Sequence, residues 1–95
     1  MPVEQRSWYA IKTYSGYENK VKRNMEYRKA ALNAGDRIFR IEMPSVEAAS
    51  VAWKDQFLKG RNVYGYVLVE TLADDVSLGI VRNTLGVLDV EKLEI

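Results

Sequence analysis

The sequence predicts one α+β domain spanning residues 1–95, in which an antiparallel sheet of about four strands carries helices packed on it. Three observations predict it. Residues 7–13 (SWYAIKT) and 62–70 (NVYGYVLVE) have strand length and are rich in aromatic and β-branched side chains. Residues 16–33 place Tyr17, Val21, Met25, Ala31 and Leu32 on one stripe at helical period. A chain of 95 residues that is 47% hydrophobic buries one core of modest size, not two.

The first strand, 7–13, sets Trp8, Ala10 and Lys12 on one side and Tyr9, Ile11 and Thr13 on the other, because successive side chains alternate across a pleated strand. Ser15 and Glu18 then have the spacing of a capping box, in which hydroxyl and carboxylate each satisfy an orphan backbone N–H. The helix that follows is expected over 16–33, with Gly35 supplying the left-handed residue that ends it. Arg28 falls within the apolar stripe, so its aliphatic stem should lie on the core and its head reach out. Residues 37–43 alternate Phe39, Ile41 and Met43 against Ile38, Arg40 and Glu42, which predicts a second strand closed by Pro44.

Residues 45–59 carry Val46, Ala49, Trp53 and Phe57 at helical spacing, with Ser45 as N-cap and Gly60 as stop. A helix-like insert is predicted there, and a strand pair is the competing reading. Its apolar stripe is either core or a docking face, including one for self-association. Residues 62–70 read as a central strand in which Gly65 marks a bulge or a close backbone approach. Asp74 caps a short helix that should bury Val76, Ile80 and Val81, with Asp75 in the first turn where the helix dipole favours a carboxylate. A last strand over 87–95 brings in Leu93 and Ile95. The order is close to the ferredoxin-like βαββαβ plan with an extra helix between its second and third strands.

Composition narrows the chemistry. The chain has no His and no Cys, which excludes hydrolytic triads, thiolate catalysis, disulfides and ordinary zinc sites. The adjacent carboxylates Asp74 and Asp75 are accounted for by capping, and no glycine-rich phosphate loop is present. No catalytic residue, metal or cofactor is therefore expected, and an enzyme is not. No apolar run reaches the roughly 18 to 20 residues of a membrane span, and the start MPVEQRSWYA lacks the apolar stretch of a signal peptide. A cytoplasmic protein with no membrane partner is expected. Lys+Arg 14 against Asp+Glu 13 conceals a split in which residues 1–40 carry +5 and the remainder −4. Either one face is basic and another acidic, or the signs intersperse in space.

The six Tyr and two Trp are a large aromatic inventory. Tyr14, Tyr17, Tyr64 and Tyr66 lie at element ends or beside Gly65. Gathered with Trp8 into an apolar concavity they would receive a partner's helices, and spread on an open sheet face they would stack RNA bases.

The stretch WYAIKTYSGYENKVKRNMEYR, residues 8–28, resembles the opening of the N-terminal domain of the bacterial NusG family: a Trp-Tyr strand, a T-Y-S-G-Y-E turn and a basic helix. RIFRIEMP (37–44), GYVLVE (65–70) and VRNTLGV (81–87) follow in the family's order. The resemblance implies a transcription elongation factor domain, active in termination and antitermination, that binds RNA polymerase across its cleft and modulates elongation and pausing. It implies a hydrophobic depression for the clamp helices of the largest polymerase subunit, with the opposite end near the gate loop of the second-largest subunit. At matching positions the polymerase-binding residues would be Trp8, Tyr9, Tyr64 and Tyr66. By the same resemblance Arg82, Asn83 and Thr84 would contact non-template DNA, a task suited to side chains that both donate and accept. Read from the residues alone, that segment is equally a polar turn closing a helix.

The chain departs from the family's pattern in three places. Val63-Tyr64-Gly65-Tyr66 replaces Phe-Pro-Gly-Tyr, Asn83-Thr84-Leu85-Gly86 replaces Asn-Thr-Pro-Gly, and 45–59 replaces a basic hairpin. The 95 residues are not expected to include the family's C-terminal β-barrel. Two other readings stay open: a standalone ferredoxin-like RNA-binding module, and a divergent or engineered domain that keeps the fold without polymerase binding.

Overall fold

Alternating aromatic and aliphatic residues extend the chain into β1 (Arg6–Lys12), which sits near the middle of the sheet. The computed structural model describes residues 5–43 and 65–93. After β1 come α1 (Glu18–Ala31), β2 (Ile38–Glu42), β3 (Tyr66–Leu72), α2 (Asp75–Arg82) and β4 (Asp89–Lys92). The strands lie in the order β2-β3-β1-β4, and every neighbouring pair is antiparallel. This is the expected α+β, ferredoxin-like βαββαβ arrangement. The helix expected over 45–59, with Trp53 and Phe57, lies outside the described residues, as do Tyr64 and Ile95.

The core forms between the sheet and the helices. Tyr9, Ile11, Val67 and Val69 from the central strands meet Val21 and Met25 of α1, Val81 of α2, and Ile38 and Ile41 of β2. The register follows from that packing: Tyr9 faces Val69 and Ile11 faces Val67, so the middle of one pleat face of β1 and β3 is apolar, with the Ser7–Thr71 pair at its end.

Several local expectations are corrected. Ser15 does not cap α1; it lies inside a turn closed by Tyr17 N–H donating to Tyr14 O at 3.0 Å, and the N-cap position falls to Tyr17. Neither bond of the box forms; the Glu18 carboxylate instead accepts Gly16 N–H, on Oε1 at 2.6 Å. At the other end Asn33, at φ 53°, takes the left-handed conformation assigned to Gly35. Ala34 N–H reaches back to Lys29 O at 2.8 Å and Asn33 N–H to Ala30 O at 3.2 Å, the two bonds of a Schellman motif. Asn tolerates that conformation better than other non-glycine residues, so the helix stops two residues early. Tyr17 and Leu32 are exposed, leaving Val21 and Met25 as the buried residues of α1. Arg28 is half-buried, and its Nε is enclosed without a hydrogen-bond partner.

In β2 the simple alternation fails because the register shifts between Ile38 and Arg40. A bulge of this kind sets an extra residue against the partner strand, so Ile38 and Ile41 both turn to the core although they fall on opposite sides of a regular strand. Phe39 is left beneath the Arg6 guanidinium, 3.7 Å from its ring centroid. In α2, Asp74 caps as expected, accepting Ser77 N–H at 2.7 Å. Val81 is buried and Ile80 partly buried as expected, but Val76 is 60% exposed and Ser77, four residues before Val81, is buried in its place.

Candidate functional site

Among the described residues two surfaces stand out once the core is accounted for. The first lies on the sheet face turned away from α1 and α2. Ala10 and Leu68 are directly opposed across β1 and β3 and are fully buried there with Leu93, and Trp8 and Tyr66 pack partly buried against them. The pleat explains the grouping, since residues 8, 10 and 12 share one face of β1 and pair with 70, 68 and 66 of β3. Leu93 is brought in when its N–H donates to Trp8 O at 2.9 Å. The result is an aliphatic floor with two amphipathic aromatics at its margin. Charged residues flank it through cross-strand pairs: Arg40 with Glu70, Ala10 with Glu91, and Lys12 with Asp89.

The structure therefore sets Trp8 and Tyr66 on one face, on either side of the Ala10–Leu68 pair. Tyr9 does not join them: the same alternation turns it to the helices, where it is 5% exposed within the core, so it backs the sheet and does not line this surface. Tyr64 lies outside the described residues.

The second surface is at the end of α2. Arg82 closes that helix and Asn83 is its C-cap, with its N–H bonded to Gly79 O at 3.0 Å and its side chain exposed. Thr84 is different. It is 2% exposed and its hydroxyl donates to Ile80 O at 2.9 Å, so that group closes the helix from inside. Leu85 follows, 77% exposed, and Gly86 passes over Val21 at φ 97°. A Cβ on Gly86 would stand 2.7 Å from Val21 Cγ2, so only glycine fits this turn against α1.

Beside that turn is a small cavity of about 250 Å³ that the sequence does not single out. Tyr14 and Tyr17 form its aromatic wall, with ring centroids 6.0 Å apart and planes at 64°. Lys20 Nζ is 5.9 Å from the Tyr17 centroid. Asn24 crosses the floor, where its Nδ2 donates to Leu85 O at 3.2 Å and ties α1 to the turn. The available signal is the Tyr-x-x-Tyr spacing at the β1–α1 junction, which assigning Tyr17 to the apolar stripe obscures.

Among the described residues two carboxylates are perturbed, and both accept backbone N–H groups. Glu18 is held below its ordinary value of 4.5, first by the Gly65 N–H it accepts and then by other backbone N–H groups. Asp74 is held below 3.8, first by Ser77 N–H, next by the Ser77 hydroxyl, and to a lesser degree by Arg37, whose Nη1 lies 3.2 Å from Oδ2. Among the described residues no group of three or more acidic side chains could hold a metal ion. No described helix is long and apolar enough to cross a membrane.

Comparison with known proteins gives a consistent result. Residues 6–91 match the family model described as transcription termination factor nusG. A protein of Staphylococcus carnosus named transcription termination/antitermination protein NusG is 46% identical over 86 residues, covering 90% of this chain and 47% of that protein. Its counterpart in Staphylococcus aureus is 45% identical over the same length. A solved structure described as domain interaction in Thermotoga maritima NusG aligns with a TM-score of 0.70 at 28% identity, over 96% of this chain and 51% of that one. The chain spans about half the length of the curated relatives it matches.

Proposed function

Because the chain belongs to the NusG family of transcription termination and antitermination factors, we propose that it binds RNA polymerase across the cleft and modulates elongation and pausing. The observation that carries this reading is the cluster of Trp8 and Tyr66 over Ala10, Leu68 and Leu93. An aliphatic floor edged by aromatics with polar tips suits the apolar side of a partner's helices, and such aromatics act as anchors. The occupant is the clamp-helix pair of the largest subunit, with the far end of the domain toward the gate loop of the second-largest. Trp8 and Tyr66 are partly buried against aliphatic neighbours, which favours apolar docking over the RNA-stacking reading.

The α2 end faces non-template DNA in the same complex. Asn83 offers an exposed amide that both donates and accepts, whereas Thr84 has committed its hydroxyl to Ile80 O. Any base contact from this turn falls to Asn83, and the Tyr14 and Tyr17 rings nearby offer a stacking wall. The test is capture of core RNA polymerase by the 95-residue chain with and without excess clamp-helix peptide. Competition by the peptide is expected, and capture that ignores the peptide moves the interface elsewhere. In the assembled elongation complex Asn83→Ala should remove crosslinking to non-template bases while polymerase capture is unchanged.

A further inference from the structure

Gly65, the residue before β3, has both backbone groups engaged. Its N–H donates to Glu18 Oε2 at 2.9 Å, and its carbonyl accepts Thr13 N–H at 2.7 Å. The other oxygen of the same carboxylate accepts Gly16 N–H at 2.6 Å. One side chain thus joins the β1–α1 turn to the start of a strand 47 residues further along the chain. The join is close-fitting: Gly65 has φ 83°, and a Cβ there would stand 3.1 Å from Thr13 O.

We propose that Glu18 is a positioning residue for the polymerase-facing sheet surface, fixing through Gly65 the point and direction at which Tyr66 enters β3. This rests on the reading of Tyr66 as an anchor. The β1–β3 ladder ends at the pair Lys12 and Tyr66, so the bonds of Gly65 are what hold that terminal pair against fraying. Two N–H donors converge on Glu18, and only a carboxylate presents two acceptor oxygens to them; an amide would turn its own N–H groups toward one donor. Hydrogen bonds to an ionised acceptor are also about twice as strong as neutral ones. A helix-start carboxylate serving α1 alone would have no need to reach Gly65.

The test is a double-mutant cycle on the whole chain, reading affinity for core RNA polymerase beside the thermal midpoint of each variant. Glu18→Gln should weaken binding about tenfold, the loss of one charge-assisted hydrogen bond, and should have no further effect once Tyr66→Ala is present. Glu18→Gln that binds like the parent, or whose loss adds fully to that of Tyr66→Ala, overturns the positioning role while leaving the anchor reading intact. Tyr66→Ala that binds like the parent overturns the anchor reading itself, and the proposal with it. If Glu18→Gln does not fold, the unmodified protein supplies the answer by NMR. The Gly16 and Gly65 amide protons should shift together, with one ionisation below the ordinary glutamate range; amides that move separately, or not at all, overturn the proposal.

Discussion

The two faces of the sheet use the same strands and the same alternation to different ends. On the helix side, Ile11, Val67 and Val69 are fully buried by α1 and α2, and even Tyr9 is enclosed. On the other side only Ala10, Leu68 and Leu93 are buried among the described residues, and the large aromatics Trp8 and Tyr66 stand partly buried at their margin. Aliphatic side chains in mutual contact hold a fold. Aromatics with polar tips, left half-covered, are suited to hold a partner. The difference lies in which residue size occupies each parity of β1 and β3, so one strand pair supplies both the core and the face proposed for recognition.

The sharpest way to break this contrast is to empty the helix-side face. Ile11→Ala removes a fully buried side chain and should cost about 2–5 kcal/mol, measured by urea unfolding. A variant as stable as the parent would mean that the helices do not close on β1 as described. A smaller effect is expected where the helical layer is fastened to the sheet. Asp74→Ala removes the N-cap of α2 and should cost about 0.5–2 kcal/mol, whereas Asp75→Ala, which caps nothing, should cost less in the same melts.

The smallest expected effect is that of acid. Glu18 and Asp74 both have folded values below their ordinary ones, so the stability they give is fully present above about 4.5 and 3.8 respectively and is lost as the pH falls through the lower folded values. Glu18 joins the β1–α1 turn to the start of β3 and Asp74 caps α2, so acidification below about pH 4 should loosen these two junctions first. Hydrogen exchange at about pH 3 should show Gly16, Gly65 and the first turn of α2 opening before the middle of β1 and β3; uniform loss of protection would place the acid-sensitive groups elsewhere.

Much of the fold is legible in the sequence because each signal is local. Strand alternation in 7–13 sets Trp8 and Tyr9 on opposite faces without reference to any partner strand, and Asp74 announces α2 by its own hydrogen bond. Gly65 announces a bulge or a close approach by its residue type, and the structure selects the close approach, with Thr13 O 3.1 Å from where a Cβ would stand. What escapes depends on contacts distant in sequence or on competition between neighbours. The bulge that turns both Ile38 and Ile41 inward comes from pairing with β3 and not from β2 itself. Asn33 ends α1 ahead of the more conspicuous Gly35 because the Schellman bonds close there first. The Tyr14–Tyr17 cavity needs Leu85 and Gly86, which only the fold brings to α1. Thr84 reads as a donor available to DNA until Ile80 O is seen to hold it.

The central claim is that the face bearing Trp8 and Tyr66 binds the polymerase clamp helices, and it is tested most directly by measuring the affinity of Tyr66→Ala for core RNA polymerase together with its urea midpoint. The account predicts binding weakened by about 1–3 kcal/mol at a near-parental midpoint, as for an aromatic anchor. Parental affinity in a folded Tyr66→Ala variant would contradict it.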